Sequence, residues 1–327
     1  MTRPRLILHI GSQKTGSTAI QSALDNHPES LAASGLRLAR AGRKHIAHQR
    51  LYQAILSGRP RPAFLELRRE LKAHPDATLI LSCEMFLAPG IAPVFARFLG
   101  PDLCARTQVI AYLRRQDHFL EALYKQHLKN GRVTGTIQSY LKGRIDRLLY
   151  SPTLAQYDAA FGHKNLCVIP YERADFPDAN GVADFAARIG WQDVPPKALG
   201  SGEVNASLSL PYCHALGARA DLPAPTRRAL IRALIADPTG HSTANNDVLS
   251  DRPRADILRL LARENTLIRD RWCPDRTALF APMTPATTPP LPESALPEAI
   301  ADAAAHIALL LEKIEAPPKP PARPLSS

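Results

Sequence analysis

The densest chemistry in this chain lies near its start, where Gly11, Ser12, Gln13, Lys14, Thr15, Gly16, Ser17 and Thr18 read GSQKTGST. A loop of this kind points backbone N–H groups inward, and the start of a following helix adds partial positive charge. Gly11 and Gly16 permit positive φ and close approach of a ligand. Thr15, Ser17 and Thr18 add hydroxyl donors, and Lys14 adds a cation. That set suits an anionic phosphate. A glycine turn with a structural helix cap is the competing explanation, but it needs neither the lysine nor three hydroxyls. The usual ATP loop carries lysine directly after its second glycine. Here that position is Ser17, and the lysine sits inside the loop, which suits a different nucleotide.

Three more residues have the right chemistry. Arg114 ends an apolar run and can fork two donors onto a phosphate. A solvated strand end is its plainer role. Glu84, in LILSCEMF, and His48, in RKHIAHQRLYQ, are the two candidates for a general base. Strand C-termini border the ligand crevice of a parallel sheet, which favours Glu84. Its alternative role is a carboxylate at a helix start; that of His48 is a partly exposed helix histidine. His45 and His48 would share one helix turn, but no carboxylate or third histidine completes a cluster with them, so no metal is expected.

These residues need elements to hold them. Residues 5–10 (RLILHI) form an apolar run ending at glycine, which predicts a buried parallel strand. Helical spacing follows over Thr15–Leu24, with Ile20, Ala23 and Leu24 on one face and Pro28 as the stop. Residues 77–82, 107–113 and 165–170 predict three more buried strands, and 117–129 a helix. Strands alternating with helices imply an α/β fold, a central parallel sheet flanked by helices, opened by a strand–loop–helix unit. The stretch 130–153, with Gly131, Gly135 and Gly143, reads as a mobile connection. Beyond about 195 the pattern turns helical, over 224–236, 252–269 and 297–313, with Pro297 suited to a first turn. Pro282–Pro292 reads as a linker. The expected organisation is one domain over 1–315 and a disordered proline-rich tail over 316–327.

The 327 residues, 45% of them apolar, are ample for a real core. No apolar run approaches the ~18 residues of a membrane helix, and the N-terminus lacks a secretory core, so a cytoplasmic protein is expected. The five cysteines, at 83, 104, 167, 213 and 273, are odd in number, widely spaced and without CxxC. That excludes a disulfide framework and points to buried thiols. A net charge of +11 attracts anions. The basic residues are spread out with few interleaved aromatics, which argues against nucleic acid.

HIGSQKTGSTAIQSAL resembles the 5′-phosphosulfate loop of sulfotransferases that use 3′-phosphoadenosine 5′-phosphosulfate, especially bacterial enzymes and the glycan-modifying Golgi enzymes. These commonly read H-I-G-x-x-K-T-G-[ST]-[ST]. VIAYLRRQDHFLEALYKQ resembles the family's 3′-phosphate signature, and VIPYERAD its strand ending in Tyr-Glu; EVNASLS, at 203–209, resembles a further segment. Together they span roughly residues 5–210. The resemblance implies that Lys14 contacts the bridging oxygen and helps the phosphate leave. It implies that Arg114 holds the 3′-phosphate and that Tyr171 packs near the adenine, with Glu172 capping the next helix. The family's serine on the helix after Arg114 is Ala122 here, which cannot donate; Arg115, Lys125 or Gln126 would have to compensate. The implied partners are the nucleotide and a glycan or lipid-linked sugar as acceptor. A nucleotide kinase is the enzyme rival, and lacks its lysine after Gly16. A scaffold that binds nucleotide without turnover is the non-enzyme rival, favoured by Ala122.

Overall fold

The computed structural model describes residues 4–142, 144–200, 207–244, 247–285 and 289–315. Where the sequence pointed to one domain over 1–315, contacts gather the chain into two compact units. The first comprises Met1–Phe119, Arg144–Glu203 and Ala255–Met283. It holds β1 (Leu6–His9), β2 (Leu36–Leu38), β3 (Thr78–Ser82), β4 (Thr107–Leu113) and β5 (Leu166–Pro170), in the order β2-β3-β1-β4-β5. Every pairing is parallel, as the α/β reading expects.

Alternation along the strands explains why both faces are covered. Leu6 and Leu8 point with Leu79, Leu81, Val109 and Ala111 into one core, which the helices Arg61–Ala73, Ile91–Leu99 and Ser151–Phe161 complete. Ile7, Ile80 and Ile110 point the other way, against Ile20 and Leu24 of α1 (Ser17–Asn26) and Phe185 of the helix Gly181–Ile189. β1 lies between β3 and β4, so connections diverge to either side of its C-terminal end. That is the topological switch point where open α/β sheets bind ligands. The register pairs His9 with Ser82 on one side and with Ile110 on the other. β4 then runs three residues farther, alongside the loop that leaves β1.

Several boundaries differ from expectation. β2 has three residues at the sheet edge, too short to leave an alternating pattern. α1 starts at Ser17 rather than Thr15, because Gly16 is left-handed at φ 73°. Pro28 opens a further helix, Pro28–Ala33. The stretch around His45 is a turn closed by a Lys44–Ala47 bridge, with His45 at φ 53°, so His45 and His48 do not share a helix turn. The glycine-bearing connection contains a helix, Ile137–Leu141, and a short 3-10 turn, Ile145–Leu148. The helix expected over 252–269 is two, Asp251–Leu260 and Ala262–Trp272.

The second unit comprises Leu120–Gly143, Val204–Arg254 and Thr284–Ser327 and is helical where described. Within it the buried Glu121 carboxylate accepts from the N–H groups of Val248 and Leu249 at 2.9 and 2.7 Å and pairs with Arg254 at 3.0 Å. Its last helix, Leu296–Glu315, carries Pro297 in the first turn and meets the Tyr212 hydroxyl through His306 at 2.7 Å. No membrane-length run was expected, yet Glu293–Glu315 is long and apolar enough to cross one by length and composition. Its Ala303, Ile307 and Leu311 are buried. The tail 316–327, Gly143 and residues 203–206 of the EVNASLS segment lie outside the described residues.

Candidate active site at the end of β1

The loop after β1 is braced from within. Ser12 N–H donates to Tyr112 O at 2.6 Å, and Ser12 Oγ accepts from Arg114 N–H at 3.0 Å. Thr15 Oγ1 donates to Ser12 O at 2.7 Å. The Tyr150 hydroxyl donates to Arg114 O at 2.8 Å, and burial pushes its pKa up. One of the three hydroxyls expected at a phosphate, that of Thr15, therefore fixes the loop's shape, together with that of Ser12. Ser17 is buried, while Thr18 and Lys14 are exposed at the surface of the loop.

The two glycines act differently. Gly11 is not left-handed; it is needed for close approach. A Cβ there would lie 3.0 Å from His9 Nε2, 3.2 Å from Thr15 Oγ1 and 3.5 Å from Ser17 Oγ. The left-handed residues are Lys14, at φ 69°, and Gly16, at φ 73°. A Cβ on Gly16 would lie 2.9 Å from the Tyr171 hydroxyl. Tyr171 thus stands against the loop, its ring edge-on to Tyr112 and Phe176 and its N–H bonded to Leu113 O at 2.7 Å.

An anion fits this geometry. α1 has ten residues, no acidic residue in its first turn and no side chain capping its N-terminus. Such an end presents N–H groups and partial positive charge. Beneath it lies His9, which the sequence reading passed over. Its Nδ1 is 2.8 Å from Ser82 Oγ, and its Nε2 has no hydrogen-bond partner among the described residues. Burial lowers its pKa to about 3, so the ring is neutral at pH 7. A polar residue in the apolar run RLILHI was the available signal.

Arg114 is half-buried, and its guanidinium donates to the carbonyl of Lys14, which ties the end of β4 to the loop. On the other flank, Glu84 begins a short 3-10 turn directly after β3. Its Oε2 accepts from Gln21 Nε2 at 3.1 Å, and Gln13 Nε2 donates to Met85 Sδ at 3.0 Å. The loop, Glu84, Arg114 and Tyr171 are therefore neighbours around the end of β1. Gln21 was also passed over, although a glutamine beside Ile20 on the inward face of a helix is a visible exception.

Three expected roles are corrected. His48 is not a partly exposed helix residue but fully buried just before the helix Gln49–Leu56. Its Nδ1 accepts from Ser82 N–H at 3.0 Å and its Nε2 donates to Ala39 O at 3.0 Å. Burial lowers its pKa to about 4. Both nitrogens hold strands together, so the ring has no lone pair to offer an acceptor. Arg115 cannot replace the missing serine, because its fork is committed to the fully buried Asp117 at 2.8 and 3.0 Å. Glu172 caps no helix; its Oε1 accepts from Ala281 N–H at 3.2 Å.

No protein-family model matches the chain. An uncharacterized protein of Archaeoglobus fulgidus is 33% identical over 133 residues, which span 40% of this chain and 35% of that protein. The crystal structure of a sulfotransferase from Alicyclobacillus acidocaldarius is similar with a TM-score of 0.39 and 13% identity, over 84% of this chain and 97% of that one.

Proposed function

We propose that this chain is a sulfotransferase. It moves a sulfuryl group from 3′-phosphoadenosine 5′-phosphosulfate to a hydroxyl or amine acceptor, a glycan or lipid-linked sugar. The observation that carries this reading is the uncapped start of α1, entered through a loop with lysine inside it and flanked by Arg114 and Glu84. The loop N–H groups and Lys14 bind the phosphosulfate, Arg114 the 3′-phosphate, and Tyr171 lies beside the nucleotide.

The nucleotide supplies the sulfuryl group. Glu84 takes the proton of the acceptor as its oxygen or nitrogen bonds to sulfur. Lys14 and the loop N–H groups stabilise the electron pair left on the bridging oxygen as the sulfur–oxygen bond breaks. The result is a sulfated acceptor and 3′,5′-bisphosphoadenosine. Ser17, where ATP-dependent enzymes of this loop type carry lysine, disfavours the kinase reading. A reducing, cytoplasmic setting belongs to this reading, in keeping with five cysteines that no disulfide joins among the described residues.

A thermal-shift comparison tests the reading. A ligand at 100 times its dissociation constant stabilises the folded state by about 2.7 kcal/mol. 3′,5′-Bisphosphoadenosine should raise the melting temperature by several degrees, and 5′-AMP by much less. Equal shifts would remove the 3′-phosphate site, and no shift with either would end the sulfotransferase reading.

A further inference from the structure

Gln21 is a polar exception in an apolar setting. It is 4% exposed, on the face of α1 that also buries Ile20 and Leu24. Burying a primary amide is unfavourable unless hydrogen bonds compensate, and a leucine would pack there without that penalty. Its amide N–H instead reaches across to Glu84 Oε2 at 3.1 Å. A second amide, Gln13, makes a parallel tie from the loop itself to Met85, the next residue of the same turn, at 3.0 Å. The Glu84 turn is thereby fastened at two points to the strand–loop–helix unit that carries Lys14.

We propose that Gln21 is a positioning residue: it holds the Glu84 carboxylate at a fixed place relative to the Lys14 loop, with Gln13 as a second tie through Met85. This rests on the sulfotransferase reading and on Glu84 as its base. Transfer joins a proton acceptor on one side of the sulfur to a leaving oxygen on the other. These two groups come from different strands, Glu84 after β3 and Lys14 after β1. No backbone hydrogen bond of the sheet fixes the rotamer of a side chain beyond a strand's end, so a side-chain bond must. By donating to Oε2, Gln21 leaves Oε1 to meet the acceptor's proton. A misplacement of about 1 Å at such a group costs on the order of a hundredfold in rate.

The test compares Gln21→Met, which keeps length and removes the donor, with Gln21→Glu, which keeps shape and replaces the donor by a second carboxylate. Binding of 3′,5′-bisphosphoadenosine is measured by calorimetry. Turnover is measured as its release from 3′-phosphoadenosine 5′-phosphosulfate between pH 5 and 8, with octyl β-glucoside as probe acceptor and water as background acceptor. Both variants should bind within about twofold of the parent, which also certifies that they are folded. Gln21→Met should lose about tenfold or more in kcat at every pH. Gln21→Glu should lose more at pH 8 and recover relative to the parent toward pH 5. Two carboxylates in contact share a proton more readily as pH falls, and that proton restores a donor. Undiminished kcat in Gln21→Met, or losses in the two variants that run parallel across pH, would overturn the positioning role and leave the sulfotransferase reading standing. If Gln21→Met does not fold, the pH dependence of Gln21→Glu decides alone. Absence of both binding and turnover in the parent would overturn both.

Discussion

Gly16 offers the sharpest test of the loop. At φ 73° it occupies the left-handed region, and a Cβ there would stand 2.9 Å from the Tyr171 hydroxyl, 3.6 Å from Cζ and 3.7 Å from Cε2. Gly16→Ala therefore combines two separable penalties. Left-handed backbone costs an alanine roughly 1–2 kcal/mol more than a glycine. Overpacking against Tyr171 costs about 1–3 kcal/mol further, because that ring is wedged against Tyr112 and Phe176 and cannot simply swing away. The single variant should lose about 2–5 kcal/mol in urea unfolding. Adding Tyr171→Phe removes only the atom at 2.9 Å and leaves ordinary contacts at 3.6 and 3.7 Å. The double variant should regain the steric part and keep the backbone part, about 1–2 kcal/mol. The cycle of four proteins measures the coupling directly. Strict additivity of the two substitutions, or a Gly16→Ala protein as stable as the parent, would refute the placement of Tyr171 over the loop.

Lys14→Ala should lower kcat about a hundredfold while changing the calorimetric affinity for 3′,5′-bisphosphoadenosine far less, since the cation acts on charge that develops during transfer. Equal losses in both would make it a simple binding residue. Glu84→Gln should abolish turnover and leave stability nearly unchanged. His48→Asn should cost about 1–3 kcal/mol of stability through its two backbone partners, and an active, fully stable variant would contradict its structural role. Stability should also depend on pH. His9 and His48 have pKa values near about 3 and about 4 when folded, both lowered by burial, against about 6.5 unfolded. Between roughly pH 6.5 and 4 the unfolded chain binds more protons, so stability falls with pH by about 1.4 kcal/mol per unit for each ring. Urea midpoints from pH 7 to 4.5 measure that slope, and His48→Asn should reduce it; an unchanged slope would show that the ring is not buried neutral.

The sheet was legible in the sequence because its interior strands are buried on both faces, and runs such as Leu79–Leu81 and Val109–Leu113 cannot read as anything half-exposed. The loop was legible because its glycines, lysine and hydroxyls are contiguous. Legible too were the strand ends that carry Glu84 and Arg114. What the sequence could not show was where each polar group turns. Ser12 and Thr15 look like ligand donors, but hydrogen bonds with the end of β4 and within the loop draw them inward. Arg115 looks like a spare cation, yet Asp117 holds it. His48 has the residue type of a base, and only its burial between Ala39 and Ser82, 9 and 34 residues away, makes it a strut. The pairing of Gln21 with Glu84 spans 63 residues. Local pattern reports periodicity and composition over a few turns. Which donor meets which acceptor is decided by strand order and register, and these exist only once β1 has been laid between β3 and β4.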